Sequence, residues 1–278
     1  MRGPLTLLAS ALVLAFCGVA CGVKSEPTGA GPTYPVTVLD GAGGQVSVHA
    51  RPDRIVSLDP GLTESLAAIG AEGLVVGRSS QHPSLILAPH GTSSSQASAM
   101  ARRLGAPVYV AGPPSVRGIE HDIVSVAALV GLADNGHGVI GRIRTRIARI
   151  AALTRSAPRA RVFVDLGGRR TIPPNGIGAE LLRLAGAVNV ATGGSPAAPY
   201  PLARLRQAAP GVYLATPGAT TLRALRKSKA THNLPAVRNG RFHVIPAGLL
   251  TDTGPGIANS LTRLVRILHP ELPVNQGQ

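Results

Sequence analysis

The stretch RIVSLDPGLTESLAAIG, residues 54–70, decides the fold because it joins a strand to a helix through a short turn. Ile55 and Val56 begin a short apolar run that is typical of a buried strand. Pro60 and Gly61 mark the turn, and apolar residues then recur at helical spacing. The stretch is therefore a strand–helix unit, and its helix carries one carboxylate, Glu64, near its start.

Units of this kind recur along the chain in two series. The strand-like runs are RIVSLD, GLVVGR, SLILAP and PVYVAG in the first series, and RVFVDLG, AVNVAT, GVYLAT and RFHVIPA in the second. Short apolar runs with helices between them predict parallel sheets that are covered on both faces. We therefore expect an α/β fold with two Rossmann-like lobes, mostly parallel sheets and a single long backbone helix that joins the lobes.

The joining helix lies in NGHGVIGRIRTRIARIAALTR, residues 135–155. Its isoleucines recur at helical spacing while its arginines occupy other faces, which indicates an amphipathic helix. A hairpin, VTVLDGAGGQVSVH, opens the first series. The predicted domains are an N-terminal lobe at 36–133, a bridging helix at 134–158 and a C-terminal lobe at 159–278.

The first twenty residues are typical of an export signal, because Arg2 precedes an uncharged apolar run from Leu5 to Val19. Small residues before Cys21 favour a lipoprotein signal peptide, with a lipid on the Cys21 thiol, a flexible tether at 21–35 and an anchor on the outer face of the cell membrane. Plain secretory cleavage is the alternative. Since Cys17 is the only other cysteine, the rest of the chain offers no disulfide and no thiolate site.

The chain is strongly basic, with 28 Lys and Arg against 13 Asp and Glu and a net charge of +15. Export and the scattered arginines argue against a nucleic-acid partner. Such a surface suits an anionic membrane or an anionic ligand instead.

Enzyme signatures are absent: the chain has no nucleophile elbow, no phosphate loop and no zinc-protease motif. We therefore expect a non-enzyme with no resident cofactor and no metal site. The alternative is an exported α/β hydrolase that uses Asp59 or Asp252 with a histidine of the cleft as its acid–base pair.

In open α/β sheets, ligands bind beyond the carboxyl ends of the strands, so two lobes would place both sets of ends around one cleft. Arg169 and Arg170 suit bidentate pairing with an anionic ligand, and Tyr200 is a loop aromatic that can stack on one. The predicted cleft residues are Ser57, Asp59, Pro60, Arg78, Ser80, His82, Arg169, Arg170, Tyr200 and Asp252.

Taken together, the hairpin, the run RIVSLDPGLTESLAAIGAEGLVVGRSS, the long helix and GIGAELLRLAGAVNV resemble a known family. It comprises the class III, helical-backbone periplasmic binding proteins of ABC importers for ferric siderophores, haem and cobalamin. The resemblance implies a monomer that holds a small-molecule metal chelate between two lobes and delivers it to permease and ATPase subunits. A surface adaptor or haem chaperone without a permease is the alternative within the same fold.

The resemblance also implies one docking carboxylate on each lobe, which meets arginines of the permease. The matching positions are Glu64 in PGLTESL and Glu180 in GIGAELL. Both lie near predicted helix starts, where the helix dipole favours an anion. Stabilisation of their own helices is therefore the alternative role.

Overall fold

The computed structural model describes residues 33–77 and 82–274. The predicted signal peptide, the lipidation residue Cys21 and most of the predicted tether lie outside these residues. The described chain opens with an antiparallel hairpin of β1 (Val36–Leu39) and β2 (Gln45–Val48). Asp40 closes its turn by accepting the backbone N–H of Gly44 at 2.7 Å, and the turn docks on the first lobe through a hydrogen bond from Gly41 N–H to the Val110 carbonyl.

The first lobe is a four-stranded parallel sheet in the order β4-β3-β5-β6. Its elements are β3 (Ile55–Ser57), α1 (Pro60–Ala68), a 3-10 turn (Glu72–Leu74), β4 (Val75–Val76), β5 (Leu85–Ala88), α2 (Ser94–Leu104), β6 (Val108–Val110) and α3 (Val116–Leu129).

The second lobe follows the helix α4 (Ala133–Thr154) and is a four-stranded parallel sheet in the order β8-β7-β9-β10. Its elements are β7 (Ala160–Asp165), α5 (Ile177–Leu184), β8 (Ala187–Asn189), α6 (Leu202–Ala208), β9 (Val212–Ala215), α7 (Leu222–Lys227), α8 (Pro235–Arg238), β10 (Phe242–Val244), a 3-10 turn (Ala247–Leu250) and α9 (Ile257–Leu268).

The two lobes have the same topology. In each, the second strand in chain order lies outside the first, and the third and fourth strands lie on the other side. The predicted fold class, two mostly parallel α/β lobes joined by one long helix, is confirmed.

Helix α4 holds the lobes together through its apolar face. Val139, Ile140, Ile143 and Ile150 are buried, and the helix packs against α3 of the first lobe and against α5 and α9 of the second. One hydrophobic core therefore runs from the first lobe through α4 into the second. The helix ends at Thr154, four residues before the predicted limit of 158, and a bend at residues 155–157 leads into β7.

Local capping explains where two helices of the first lobe begin. Ser93 and Gln96 form a reciprocal capping box at the start of α2. Ser115 accepts the N–H of Gly118 at 3.0 Å and so caps α3, which begins at Val116. Within the described residues, no helix is both long enough and apolar enough to span a bilayer.

Candidate functional site

In each sheet the second strand lies on one side of the first strand, and the third and fourth strands lie on the other side. The place where the strand order reverses in this way is a topological switch point. These points lie between β3 and β5 in the first lobe and between β7 and β9 in the second. Ligands of open α/β sheets bind at the carboxyl ends of the strands beside such points. The predicted residue Ser57 ends β3 and Asp59 follows it, while Arg169 and Arg170 follow β7, so these four lie at the carboxyl ends of the strands beside the switch points.

In the first lobe, hydrogen bonds fix the segment after β3. The carboxylate of Asp59 accepts the N–H of Leu62 at 2.9 Å and so caps helix α1. The Thr63 hydroxyl donates to Ser57 Oγ at 2.8 Å and also bonds the Asp59 carbonyl at 2.9 Å. Pro60 is the first residue of α1, where its fixed φ is favourable. These contacts hold the strand–helix junction in one conformation.

In the second lobe, a buried carboxylate organises the loop after β7. Asp165 is 2% exposed and accepts the backbone N–H groups of Gly167 and Arg169, both at 2.9 Å, on one oxygen. Its other oxygen accepts the hydroxyl of Tyr213 at 2.7 Å. The basic turn that carries Arg169 and Arg170 is therefore anchored to the core of the lobe.

The first lobe contains a matching pair. The Tyr109 hydroxyl donates to buried Asp122 at 2.8 Å, and Asp122 also accepts the N–H of Gly112, which follows β6. Burial raises the pKa of Asp122 above its ordinary value, while the bonds from Tyr109 and Gly112 partly oppose this. Burial and the neighbouring carboxylates raise the pKa of both Tyr109 and Tyr213 far above the ordinary value of 10.0.

These two acids were not among the predicted site residues. The sequence does carry a signal for Asp165, because in VFVDLGG this acid ends an apolar strand and glycines follow it. Asp122 has no such local signal, because it lies within helix α3 and meets Tyr109 only in the folded lobe.

Backbone conformation distinguishes two of the predicted cleft residues. Among the described residues, three non-glycine residues have positive φ, and these include His82 at 56° and Arg169 at 64°. Non-glycine residues take this conformation rarely, and such residues cluster at ligand-binding and active sites. His82 is exposed. Arg78 and Ser80, which precede it, lie outside the described residues.

The expectation for Tyr200 requires correction. The residue lies in a loop as predicted, but its side chain is only 4% exposed and packs 5.7 Å from the ring of Phe163. Its N–H donates to the Arg169 carbonyl at 2.9 Å, and its carbonyl accepts from the Arg169 guanidinium at 3.3 Å. Tyr200 is thus a core residue that supports the basic turn rather than a ring available for stacking on a ligand.

Asp252 lies where the two lobes touch, beside Glu64. Its carboxylate accepts the N–H of Gly254 at 2.9 Å in the turn before α9. A β-carbon at Gly61 of α1 would lie 2.7 Å from the Thr253 carbonyl, so only glycine permits this approach. The carboxylate of Glu64 packs against Gly254 in the same turn.

This environment perturbs Glu64. Partial burial raises the pKa of Glu64 above its ordinary value, and the nearby Asp252 carboxylate raises it further. A hydrogen bond from the Gly256 N–H lowers it and offsets part of the effect. Although Glu64 was expected near the start of its helix, it lies beyond the first turn of α1, whose N-cap is Asp59.

Glu180 lies in the first turn of α5, as expected. One of its carboxylate oxygens accepts the N–H of Val116, in the other lobe, at 3.0 Å. Its second oxygen lies 3.9 Å from the guanidinium of Arg183, which is largely exposed. Each predicted docking acid therefore contacts the opposite lobe.

The described part of the chain contains no cluster of three or more His, Cys, Asp or Glu side chains placed to hold a metal ion. The candidate site comprises the basic turn after β7, the two Tyr–Asp pairs and the acids at the lobe contact.

Comparison with known proteins supplies a classification. The family model described as "Periplasmic binding protein" matches residues 79–249. A curated cobalamin-binding protein of Halobacterium salinarum is 22% identical over 279 residues, which cover 85% of this chain and 75% of that protein.

Solved structures agree with this classification at the level of the fold. The periplasmic haem-binding protein RhuT of Roseiflexus sp. RS-1, in its apo form, superposes with a TM-score of 0.67 at 21% identity and covers 78% of this chain and 98% of its own. An ABC-type Fe3+-hydroxamate transport system protein from Saccharomonospora viridis superposes with a TM-score of 0.63 at 17% identity, with 85% of this chain and 99% of its own covered.

Proposed function

The chain belongs to the periplasmic binding protein family, and from this premise we propose that it is an exported receptor that captures a metal chelate between its two lobes and delivers it to an ABC importer. The chelate class is a ferric siderophore, haem or cobalamin, in keeping with the ligands named for its relatives. The protein binds this ligand without changing it chemically.

The observation that carries the proposal is the duplicated topology, with a switch point in each lobe and a continuous core between them. The order of strands is the same in both sheets, and α4 packs against helices of both lobes. Because packed cores resist continuous deformation, the packing of α4 limits movement of the lobes to a small range. A receptor of this kind binds its ligand in a preformed cleft rather than by wide closure.

The ligand chemistry follows from the basic turn after β7. Arg169 and Arg170 offer guanidinium groups, which pair well with carboxylate, catecholate or phosphate oxygens. Asp165 fixes the turn by accepting the Arg169 N–H. We assign Arg169 and Arg170 as the principal anion-binding residues of the second lobe, with Ser57 and His82 on the first.

An equilibrium titration tests the ligand class. Purified protein is titrated with a ferric hydroxamate, haem and cyanocobalamin while ligand absorbance and tyrosine fluorescence are followed. We expect saturable binding of one of these ligands at micromolar concentration or below. Absence of binding to all three would refute the proposed ligand class.

A matched pair of variants tests the assigned residues. Arg170→Ala should weaken binding about tenfold or more, since a hydrogen bond to a charged group is worth about 1.5–3 kcal/mol. Arg102→Ala removes an exposed arginine from α2 in the other lobe and should leave the affinity unchanged. An equal effect of both changes would mean that the total charge, and not the basic turn, governs binding.

Delivery requires a partner, and we assign Glu64 and Glu180 to docking on arginines of a permease that works with ATPase subunits. The two acids lie on α1 and α5, which occupy the same place in the two lobes. Complementary charge steers and registers such contacts. Glu64→Gln and Glu180→Gln should leave ligand affinity unchanged and reduce cellular uptake. A loss of affinity as large as the loss of uptake would contradict the assignment.

Retention at the membrane is assigned to a lipid on Cys21, which lies outside the described residues. Mass spectrometry of the mature N-terminus should find a diacylglyceryl group on Cys21, and Cys21→Ser should release the protein into the medium. An unmodified N-terminus at another residue would refute the anchor while leaving the receptor proposal intact.

The hydrolase alternative gains no support from the geometry of its acids. Asp59 caps α1, and Asp252 closes the turn before α9. Both carboxylates therefore have structural roles that account for their positions.

A further inference from the structure

The two proposed docking acids make the same contact in opposite directions. Glu180, on α5 of the second lobe, accepts the N–H of Val116, the first residue of α3 in the first lobe, at 3.0 Å. Glu64, on α1 of the first lobe, lies with its carboxylate against Gly254 and Gly256, at the start of α9 in the second lobe, where the Gly256 backbone lowers its pKa. Each lobe thus supplies one carboxylate to the start of one helix in the other lobe.

Topology shows that this reciprocity is systematic. Helices α1 and α5 each follow the first strand of their sheet, and α3 and α9 each follow the fourth. Since both lobes have the same strand order, the two contacts are related by the exchange of the lobes. A single accidental contact would not have this counterpart.

Each carboxylate lies where a helix leaves backbone N–H groups open. The first four N–H groups of a helix have no partner inside it. In α3, Ser115 satisfies the N–H of Gly118, and Glu180 from the other lobe satisfies that of Val116. In α9, the N-cap residue Gly256 provides no side-chain cap, and the carboxylate of Glu64 lies there instead. A negative charge at a helix start is also favoured by the helix dipole.

Close packing reinforces the contact at α9. A β-carbon at Gly254 would overlap the carboxylate of Glu64, and one at Gly61 would lie 2.7 Å from the Thr253 carbonyl. The backbones of the two lobes therefore approach as closely as glycine allows. The carboxylate of Glu64 fills the space beside this approach.

We propose that Glu64 and Glu180 form an interlobe latch, and that a basic partner which pairs with both carboxylates loosens the cleft by drawing them away from α9 and α3. The part that concerns the partner rests on the proposed docking function. A bidentate guanidinium engages both oxygens of a carboxylate. It therefore competes with the helix start that each glutamate now contacts in the other lobe, and docking and ligand release are coupled through the same two side chains.

The latch is tested on the isolated full chain, without a permease. Amide hydrogen exchange by NMR reports on the Val116 and Gly256 N–H groups directly. Glu180→Ala should raise the exchange rate of the Val116 amide about tenfold, the factor expected for losing a hydrogen bond to a charged group. Glu64→Ala should likewise raise the exchange rate of the Gly256 amide, because it uncovers the start of α9 against which the carboxylate packs. The control, Glu72→Ala, removes an exposed acid of the first lobe and should change neither rate.

Interlobe distance provides the second measurement. The only cysteines, Cys17 and Cys21, are replaced by serine, and spin labels are attached to Ser98→Cys on α2 and Gln207→Cys on α6, both exposed positions. The double variant Glu64→Ala/Glu180→Ala should broaden and lengthen the distance distribution. Glu64→Gln/Glu180→Gln should preserve it, because the amide oxygen of glutamine still accepts the N–H.

Three results would overturn the latch: unchanged amide exchange in the alanine variants, equal changes in Glu72→Ala, or an unchanged interlobe distance in the double alanine variant. Uptake assays on the glutamine variants separate this proposal from docking. These variants retain the acceptor and lose the charge, so normal uptake would refute docking and leave the latch in place.

Discussion

Replacing Tyr213 by Phe should destabilise the protein by about 2 kcal/mol, the value expected for a hydrogen bond to a charged group. The Tyr213 hydroxyl lies 2.7 Å from a carboxylate oxygen of Asp165, and the two residues are 1% and 2% exposed. Phenylalanine preserves the ring packing against Phe163 and Phe242. The loss is therefore confined to the hydrogen bond and to the buried oxygen that it leaves without a donor.

Urea unfolding followed by circular dichroism measures this cost, which should appear as a lower midpoint at an unchanged slope. For a chain of this size the melting temperature should fall by about 4–8 °C. Tyr34→Phe is the matched control: its hydroxyl donates to the neutral carbonyl of Leu129 at 3.1 Å and is only partly buried. That change should cost about 0.5–1.5 kcal/mol.

A double-mutant cycle isolates the pair. Asp165→Asn removes the charge but keeps an oxygen for the N–H groups of Gly167 and Arg169, so it should cost less in the Tyr213→Phe background than in the parent. If Tyr213→Phe costs no more than Tyr34→Phe, or if the two changes are additive, the buried Tyr–Asp pair does not anchor the loop as argued.

Three further outcomes follow from the same geometry. The raised pKa values of Tyr109 and Tyr213 contribute stability that is fully present below pH 10.0, the ordinary tyrosine pKa, and is lost as the pH rises above it. Absorbance at alkaline pH should therefore show both phenols ionising only as the protein unfolds. Ionisation of either phenol before unfolding would contradict their burial. Gly61→Ala should lower the melting temperature, because the added β-carbon would meet the backbone of the other lobe. Gly141→Ala on α4 adds a β-carbon in open space and should stabilise the protein by about 0.5–1 kcal/mol. Equal effects of the two changes would contradict the close approach at Gly61. The raised pKa of Glu64 means that ionising its carboxyl group costs more free energy in the folded chain than in the unfolded one; this cost is absent below the ordinary value of 4.5 and is reached in full once the pH has risen through the shifted value. Melting temperature against pH should therefore be flatter for Glu64→Gln than for the parent, and parallel curves would contradict the shift.

Local patterns were sufficient to predict the succession of strands and helices. A βα unit such as RIVSLDPGLTESLAAIG contains its own strand run, turn residues and helical period, so its form depends little on the rest of the chain. The same holds for α4, where four isoleucines define one face. The short helix α8 was not predicted, because four residues are too few to show a period.

Local sequence patterns could not predict the contact between the two lobes. Glu180 and Val116 are 64 positions apart in the chain, and their hydrogen bond depends on the packing of both lobes on α4. The sequence placed Glu180 at a helix start, which left stabilisation of that helix as the alternative to docking. In the structure Glu180 does lie in the first turn of its own helix, and its carboxylate also bonds the start of a helix in the other lobe. Tyr200 illustrates the same difficulty, since the loop PAAPYP is folded back over Phe163 by hydrogen bonds to Arg169.

The chain has only 13 Asp and Glu against 28 Lys and Arg, so the contacts that its few acids make are informative. Many of the described acids accept backbone N–H groups, but Asp40, Asp59, Asp122, Asp165 and Asp252 do so within their own lobe or its hairpin. Glu180, in contrast, accepts a backbone N–H of the other lobe, and the carboxylate of Glu64 packs against two glycines of the other lobe. An acid that only stabilised its own helix would not need to contact the other lobe. An acid that only docked on a partner would not need a contact inside the protein. The combination of both features in the same two residues is what a receptor requires if recognition by its partner is to alter the cleft.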